Sequence, residues 1–157
     1  MGMSTRLKWF LDSRGIRYEV VPHMHTSTSR ETARVAHVPA DRLAKSVILE
    51  DERGYVMAIV PASCRVSLEA LEVELNRRLE LATEEELHEI FRDCELGAVP
   101  ALADPYGIPA VVDHSLWDLA DVYFEAGDHE DLIHLTGSEF QRLQQHALTA
   151  SFGQRIS

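Results

Sequence analysis

The strongest constraint on the fold is a pair of apolar runs, Leu43 to Leu49 and Tyr55 to Val60, separated by the polar stretch Glu50 to Gly54. Apolar runs on either side of a polar turn are the expected appearance of a hairpin buried inside a sheet, so these two segments are expected as its central strands. One residue breaks the pattern. Strand alternation places Lys45 on the same face as Leu43, Val47 and Leu49, within the most apolar strand of the chain. An ammonium there must snorkel at the strand's end, pair with a carboxylate, or point into a cleft that offers it an anionic or carbonyl oxygen. The residues alone favour snorkelling.

Helical signals surround this hairpin. Leu7, Phe10 and Leu11 recur at helical spacing between Ser4 and Arg14, with Ser4 placed to cap the start and Gly15 to end the helix. Thr28 with Glu31, Thr83 with Glu86, and Thr136 with Glu139 match the spacing of a capping box, and Ser67 precedes Leu68, Leu71 and Leu75. Ile16 to Val21, Ala110 to Val112, Val122 to Glu125 and Leu132 to Leu135 read as further strands. Gly97 to Pro109 holds three prolines and two glycines, which exclude a regular helix or central strand, so a shaped loop is expected. The tail after Ser151 is expected to fray. No repeat or low-complexity linker divides the chain, so residues 1–157 are expected to form one α+β domain.

Composition narrows the function. The net charge of −11 opposes long-range attraction of nucleic acid, so a nucleic-acid contact must be small and local. Arg6, Lys8, Arg14, Arg17, Arg30, Arg34, Arg42 and Lys45 all fall in the first third, where they form either one basic face or a dispersed set of solvated charges. No run is long enough to cross a bilayer and no secretory start is visible, so a cytoplasmic protein without a membrane partner is expected. Met1 and Gly2 lack the following Ser or Thr of a myristoylation signal, because Arg6 stands there. Cys64 and Cys94 are too few and too far apart for a thiolate zinc site, and both are expected as free thiols.

Several segments could carry chemistry. Glu95-Leu96-Gly97-Ala98-Val99-Pro100 gathers small residues whose backbone groups could face a ligand, although an ordinary turn has the same composition. Gly127-Asp128-His129 lies between two expected strands, where a turn can hold an imidazole near the sheet edge. Cys94 is either a nucleophile or a small buried hydrophobe. His23 and His25, on one strand face, with His37 beyond, form an incomplete metal-ligand pattern. No Ser/His/Asp motif, Walker loop or dinucleotide fingerprint occurs.

Taken in order, His25 with Glu31-Thr32-Ala33, Leu43 to Leu49, Ala58 to Ala62, Leu81-Ala82-Thr83, Cys94 to Pro100, and Ala126-Gly127-Asp128 resemble the YbaK/ProX family of aminoacyl-tRNA deacylases, relatives of the editing domain of bacterial prolyl-tRNA synthetases. The resemblance runs nearly end to end. It implies a mixed, curved β-sheet flanked by helices, and hydrolysis of the ester of a mischarged, small aminoacyl-tRNA without metal or other cofactor. By the same resemblance Lys45 binds the terminal nucleotide, Gly97 lies in the loop that holds the aminoacyl group, and His129 assists. His25, Ser46, Ala98, Val99, Pro100, Gly127 and Asp128 then complete the substrate site. The implied partners are the tRNA 3′ end and a synthetase or elongation factor, with no DNA.

Many members of that family carry proline four positions after the loop glycine, where this chain has Ala101, with Pro100 one place earlier. The loop is therefore expected to be reshaped. An alternative reading follows from this departure and from the acidic charge: a catalytically inactive aminoacyl- or nucleotide-binding module that docks on a synthetase.

Overall fold

The computed structural model describes residues 2–156; Met1, part of the acylation signal considered above, and the final Ser157 lie outside them. In chain order the helices are α1 (Thr5–Ser13), α2 (Ser29–Val35), α3 (Leu68–Leu75), α4 (Glu84–Ile90) and α5 (Gly137–Leu143). The strands are β1 (Glu19–Pro22), β2 (Leu43–Asp51), β3 (Gly54–Pro61), β4 (Cys64–Val66), β5 (Glu80–Leu81), β6 (Ala110–Asp113), β7 (Asp121–Glu125), β8 (Asp131–Thr136), β9 (Leu148–Ala150) and β10 (Gly153–Arg155).

The hairpin takes the central place its apolar runs require. Across the main sheet the order is β1, β8, β7, β2, β3, β6, β9, with β5 added to β2, while β10 pairs with β4 separately. β2 and β3 are antiparallel over their full length, whereas β7–β2, β3–β6 and β6–β9 are parallel, so the sheet is mixed and its helices flank it. One face carries Ala44, Ile48, Met57, Ile59, Val122 and Phe124, packed on Leu7 and Leu11 of α1 and Phe140 of α5. The other face carries two smaller apolar groups. Val47, Leu49 and Val56 pack on Leu71 of α3, while Leu43 and Leu132 pack with Ala33 of α2. Lys45 falls between these groups, where the apolar cover is interrupted.

The helix starts follow the capping chemistry. Ser4, Thr28, Ser67, Thr83 and Thr136 each accept a hydrogen bond from a first-turn backbone N–H, which satisfies a donor the helix leaves free. The box is reciprocal at Thr83 and Glu86. At α5, Glu139 turns its carboxylate to the Arg17 N–H, which ties the helix to the start of β1.

Three expectations are corrected. The strand expected over Ile16 to Val21 runs from Glu19 to Pro22, because Ile16 is buried and its N–H closes the end of α1 on the Leu11 carbonyl. The short β4, β5 and β9 fall outside the expected strands. The segment after Ser151 does not fray: the Asp113 carboxylate accepts from the N–H groups of Phe152 and Gly153 at 2.9 and 2.7 Å, and β10 follows.

Candidate functional site

The site begins with a gap in strand pairing. β7 pairs with β2 only at Leu43 and Ala44, and β5 only at Leu49 and Glu50, so the edge of β2 is open around Lys45 to Val47. The small-residue loop fills part of that opening, and the Ser46 hydroxyl donates to the Val99 carbonyl at 3.0 Å. Lys45 points to the opposite face, as alternation requires, and is half-buried. Among the described residues it lies within ion-pair distance of no carboxylate. Burial holds its ammonium below the ordinary lysine value; the Arg30 charge adds to this, and Cys64 opposes it.

Gly97 has φ +81, a conformation that strains any residue with a side chain. A β-carbon there would stand 3.2 Å from His129 Cε1, 3.3 Å from Nε2 and 3.4 Å from the Ser27 carbonyl oxygen. The glycine thus lets the loop, the His129 ring and the segment leading into α2 meet. The Ala98 N–H is consumed in closing the turn on the Glu95 carbonyl, so it is not free for a ligand. Ala98, Pro100 and Ala101 are buried, and the Ala101 carbonyl accepts from the Gln144 amide. The position that departs from the family pattern therefore serves as an anchor of the loop.

His129 is itself held in the left-handed region, at φ 60, and is buried. Its Nε2 faces the Leu96 carbonyl, an acceptor, so Nε2 donates and, in the neutral ring, Nδ1 is a bare lone pair. That Nδ1 is buried without a partner. Asp128 shapes the turn: Oδ1 accepts from the Glu130 and Asp131 N–H groups, both at 2.9 Å. Gly127 has φ +114, packs against Ser4 and Cys94, and accepts the Glu95 N–H at 2.7 Å, which locks this turn to the loop. His25 stands over both, its ring 5.5 Å from that of His129 and its Nε2 3.6 Å from Glu95 Oε2.

His23 and His25 do not share a face. β1 ends at Pro22, beyond which the His23 side chain is fully buried near Glu125 and that of His25 is 55% exposed. Among the described residues no three His, Cys, Asp or Glu side chains are grouped so as to hold a metal ion. Cys94 is buried beside Tyr106, and burial pushes its thiol up to about 12, which disfavours the thiolate a nucleophile needs. Among the basic residues of the first third, Lys8 pairs with Asp12 and Arg42 with Asp121, while Arg30 stands near Lys45. A cavity of about 660 Å³ between α1 and α4, bordered by Arg6, Trp9, Ile90 and Arg92, includes none of the candidate residues.

Sequence reasoning overlooked Glu125. Burial drives its carboxyl up to about 7; the Thr32 hydroxyl works against this, and the Asp128 and Asp131 charges add to it. A carboxylate ending an apolar strand, two residues before a glycine turn, was the available signal.

A mixed sheet with an open central edge, a small-residue loop seated on that edge and an imidazole turn against the loop define an α/β domain with one candidate ligand-binding edge. The family model for the aminoacyl-tRNA editing domain matches residues 23–143, and the chain belongs to that family. No protein with a curated description matches it. Among solved structures it is similar to a candidate trans-editing enzyme for prolyl-tRNA synthetase, with 25% identity over 96% of each chain and a TM-score of 0.84. Hypothetical protein APE2540 shares the fold at 22% identity and a TM-score of 0.83, with 95% of this chain and 99% of that one covered. A candidate signal transduction protein from Marinobacter aquaeolei VT8 does so at 22% identity and a TM-score of 0.80, with 97% of this chain matched to 31% of that one. At the level of the family, the activity is deacylation of aminoacyl-tRNA. No helix among the described residues is long and apolar enough to cross a membrane.

Proposed function

We propose that this protein hydrolyses the ester of a mischarged tRNA carrying a small aminoacyl group such as alanyl, cysteinyl or seryl. The observation that carries the reading is the meeting of Gly97 with His129 in the loop whose Val99 carbonyl takes the hydroxyl of Ser46, the neighbour of Lys45 in β2. An aminoacyl ester is already activated, so its hydrolysis chiefly needs a fixed ribose, a positioned water and donors for the developing oxyanion. Lys45, lacking a carboxylate of its own, receives a phosphate or hydroxyl oxygen of the terminal nucleotide. With Ala98 committed to the turn, the Gly97 and Val99 N–H groups face the ester oxygen. The bare Nδ1 of His129 orients the water, and the neighbouring ribose hydroxyl shares that task. His25, Ser46, Pro100, Gly127 and Asp128 bound or brace the pocket.

Partners follow from the same reading. A chain with net charge −11 gains little from the general field of RNA, so a synthetase or elongation factor supplies affinity for the tRNA body. The test is release of amino acid from mischarged tRNA by the natural protein and by Lys45→Ala. Turnover that vanishes in the variant supports the reading. Intact ester with the natural protein, even with a synthetase added, overturns it in favour of an inactive binding module.

A further inference from the structure

Buried polar atoms without a partner are rare, because each forfeits its hydrogen bonds to water. Among the described residues five such side-chain atoms occur, and three belong to one corner, His23 Nε2 with Glu125 Oε1 and Oε2, while His129 Nδ1 lies in the turn that follows the same strand. With neutral rings and an ionised Glu125, all of these atoms are acceptors. The Nδ1 of His23 faces the Met24 carbonyl at 2.7 Å and therefore donates, which leaves Nε2 bare in the neutral ring. The two oxygens of Glu125 are acceptors when ionised, and His23 Nε2 stands 3.9 Å from Oε2, too far for a hydrogen bond. The Thr32 hydroxyl, which lies near Glu125, also donates to the Thr28 carbonyl. For an ionised Glu125 this corner is short of donors.

Glu125 also has a telling position across the sheet. Leu43 pairs with Tyr123 and Ala44 with Phe124, so one step further the parallel register sets Lys45 against Glu125, where the strands part. Alternation turns both side chains to the face covered by α2, because Ala44 and Phe124 lie in the core of the other face. Yet no ion pair joins them. A cation without a carboxylate partner and an almost fully buried carboxylate, with only the His23 ring at 3.9 Å as an ion-pair neighbour among the described residues, flank one gap, and that is the complement of a ligand bearing an anionic and a cationic group a short distance apart.

Resting on the deacylase reading, we infer that Glu125 is the seat of the substrate's α-ammonium group, opposite the terminal nucleotide held by Lys45. An ammonium supplies three donors and a positive charge to a corner rich in acceptors. Glu125 lies two residues before Gly127, whose carbonyl holds the loop of Gly97, so a group bound at Glu125 sits beside the ester rather than remote from it. His23, packed behind the carboxylate, is a positioning residue. Selection of the free α-amino group would restrict hydrolysis to aminoacyl esters and spare peptidyl esters, whose α-nitrogen is an amide.

The test compares tRNA esters carrying a free and an N-acetylated α-amino group, each enzymatic rate divided by that ester's own spontaneous hydrolysis. The natural protein is expected to favour the free amine by roughly tenfold or more in kcat/KM, the scale of a hydrogen-bonded charge. Glu125→Gln should remove that preference by slowing the free ester alone. Equal normalised rates in the natural protein, a comparison that needs no variant, overturn the inference while leaving the deacylase reading intact. A preference kept in a folded Glu125→Gln also overturns it. Turnover of neither ester overturns the deacylase reading, and this inference with it.

Discussion

Replacing Glu125 by glutamine should make the protein more stable, by an amount that grows as pH rises from about 4.5 through about 7. Burial moves this carboxyl from 4.5 to about 7, so the folded state holds its proton more tightly than the unfolded chain does. Such a group contributes stability that is fully present below about 4.5 and is lost as pH rises through about 7. At about 1.4 kcal/mol per pH unit, the loss approaches roughly 3 kcal/mol once the buried carboxylate is ionised. The side chain is only 5% exposed, so solvent screens little of it. Glutamine keeps the shape and stays neutral. For a chain of this length each kcal/mol moves Tm by roughly 2–4 °C, so Glu125→Gln should melt roughly 6–12 °C above the natural protein near pH 8.5. Near pH 4, where the glutamate is largely protonated in both the folded and the unfolded chain, the two melts should nearly coincide. Thermal denaturation followed by circular dichroism at the two pH values measures this. A Tm difference that is the same at both, or a less stable variant at pH 8.5, would refute the argument that Glu125 is buried without a compensating donor.

Gly97→Ala places a methyl at φ +81 against the His129 ring and should cost about 1–2 kcal/mol in urea unfolding, with a larger proportional loss of deacylation because the loop must move. Cys94→Ser should retain deacylation, and in the folded protein iodoacetamide should label Cys64 well before Cys94, as read by peptide mass spectrometry. Asp113→Ala removes the acceptor of the Phe152 and Gly153 N–H groups and should cost about 2–3 kcal/mol, with faster amide exchange confined first to β9 and β10.

The parts of this fold legible in the sequence are those dictated by local pattern. The buried hairpin follows from its apolar runs, and the helix starts follow from Ser4, Thr28, Ser67, Thr83 and Thr136, whose capping chemistry is settled within four residues. What was missed depends on distant partners. β5 is two residues long and exists because the edge of β2 is vacant at Leu49 and Glu50. The C-terminal strands depend on Asp113, about forty residues away, whose carboxylate holds the turn before β10.

The candidate site divides in the same way. Lys45 is conspicuous as a charge in an apolar strand, and Gly97 as a small residue in a proline-rich loop. His129 stands out only beside a glycine turn, and its bare Nδ1 follows from a bond to Leu96, thirty-three residues earlier. Glu125 was overlooked because an acid at the end of a strand ordinarily faces water, and the glycine turn two residues later was the one local sign otherwise. Its meaning depends on β7 being parallel to β2 and on α2 lying over both, which no local pattern reveals.

The central claim is that Lys45 and the Gly97 loop together make an editing site. Its most direct test is single-turnover hydrolysis of alanyl, cysteinyl and seryl esters on noncognate tRNA by the natural protein and by Lys45→Ala, with thermal melts of both. The account predicts hydrolysis of at least one ester by the natural protein. It also predicts loss of that activity in the variant with no loss of stability, since Lys45 has no carboxylate partner to forfeit. Equal hydrolysis by the two proteins, or none by the natural protein with a synthetase present, would contradict it.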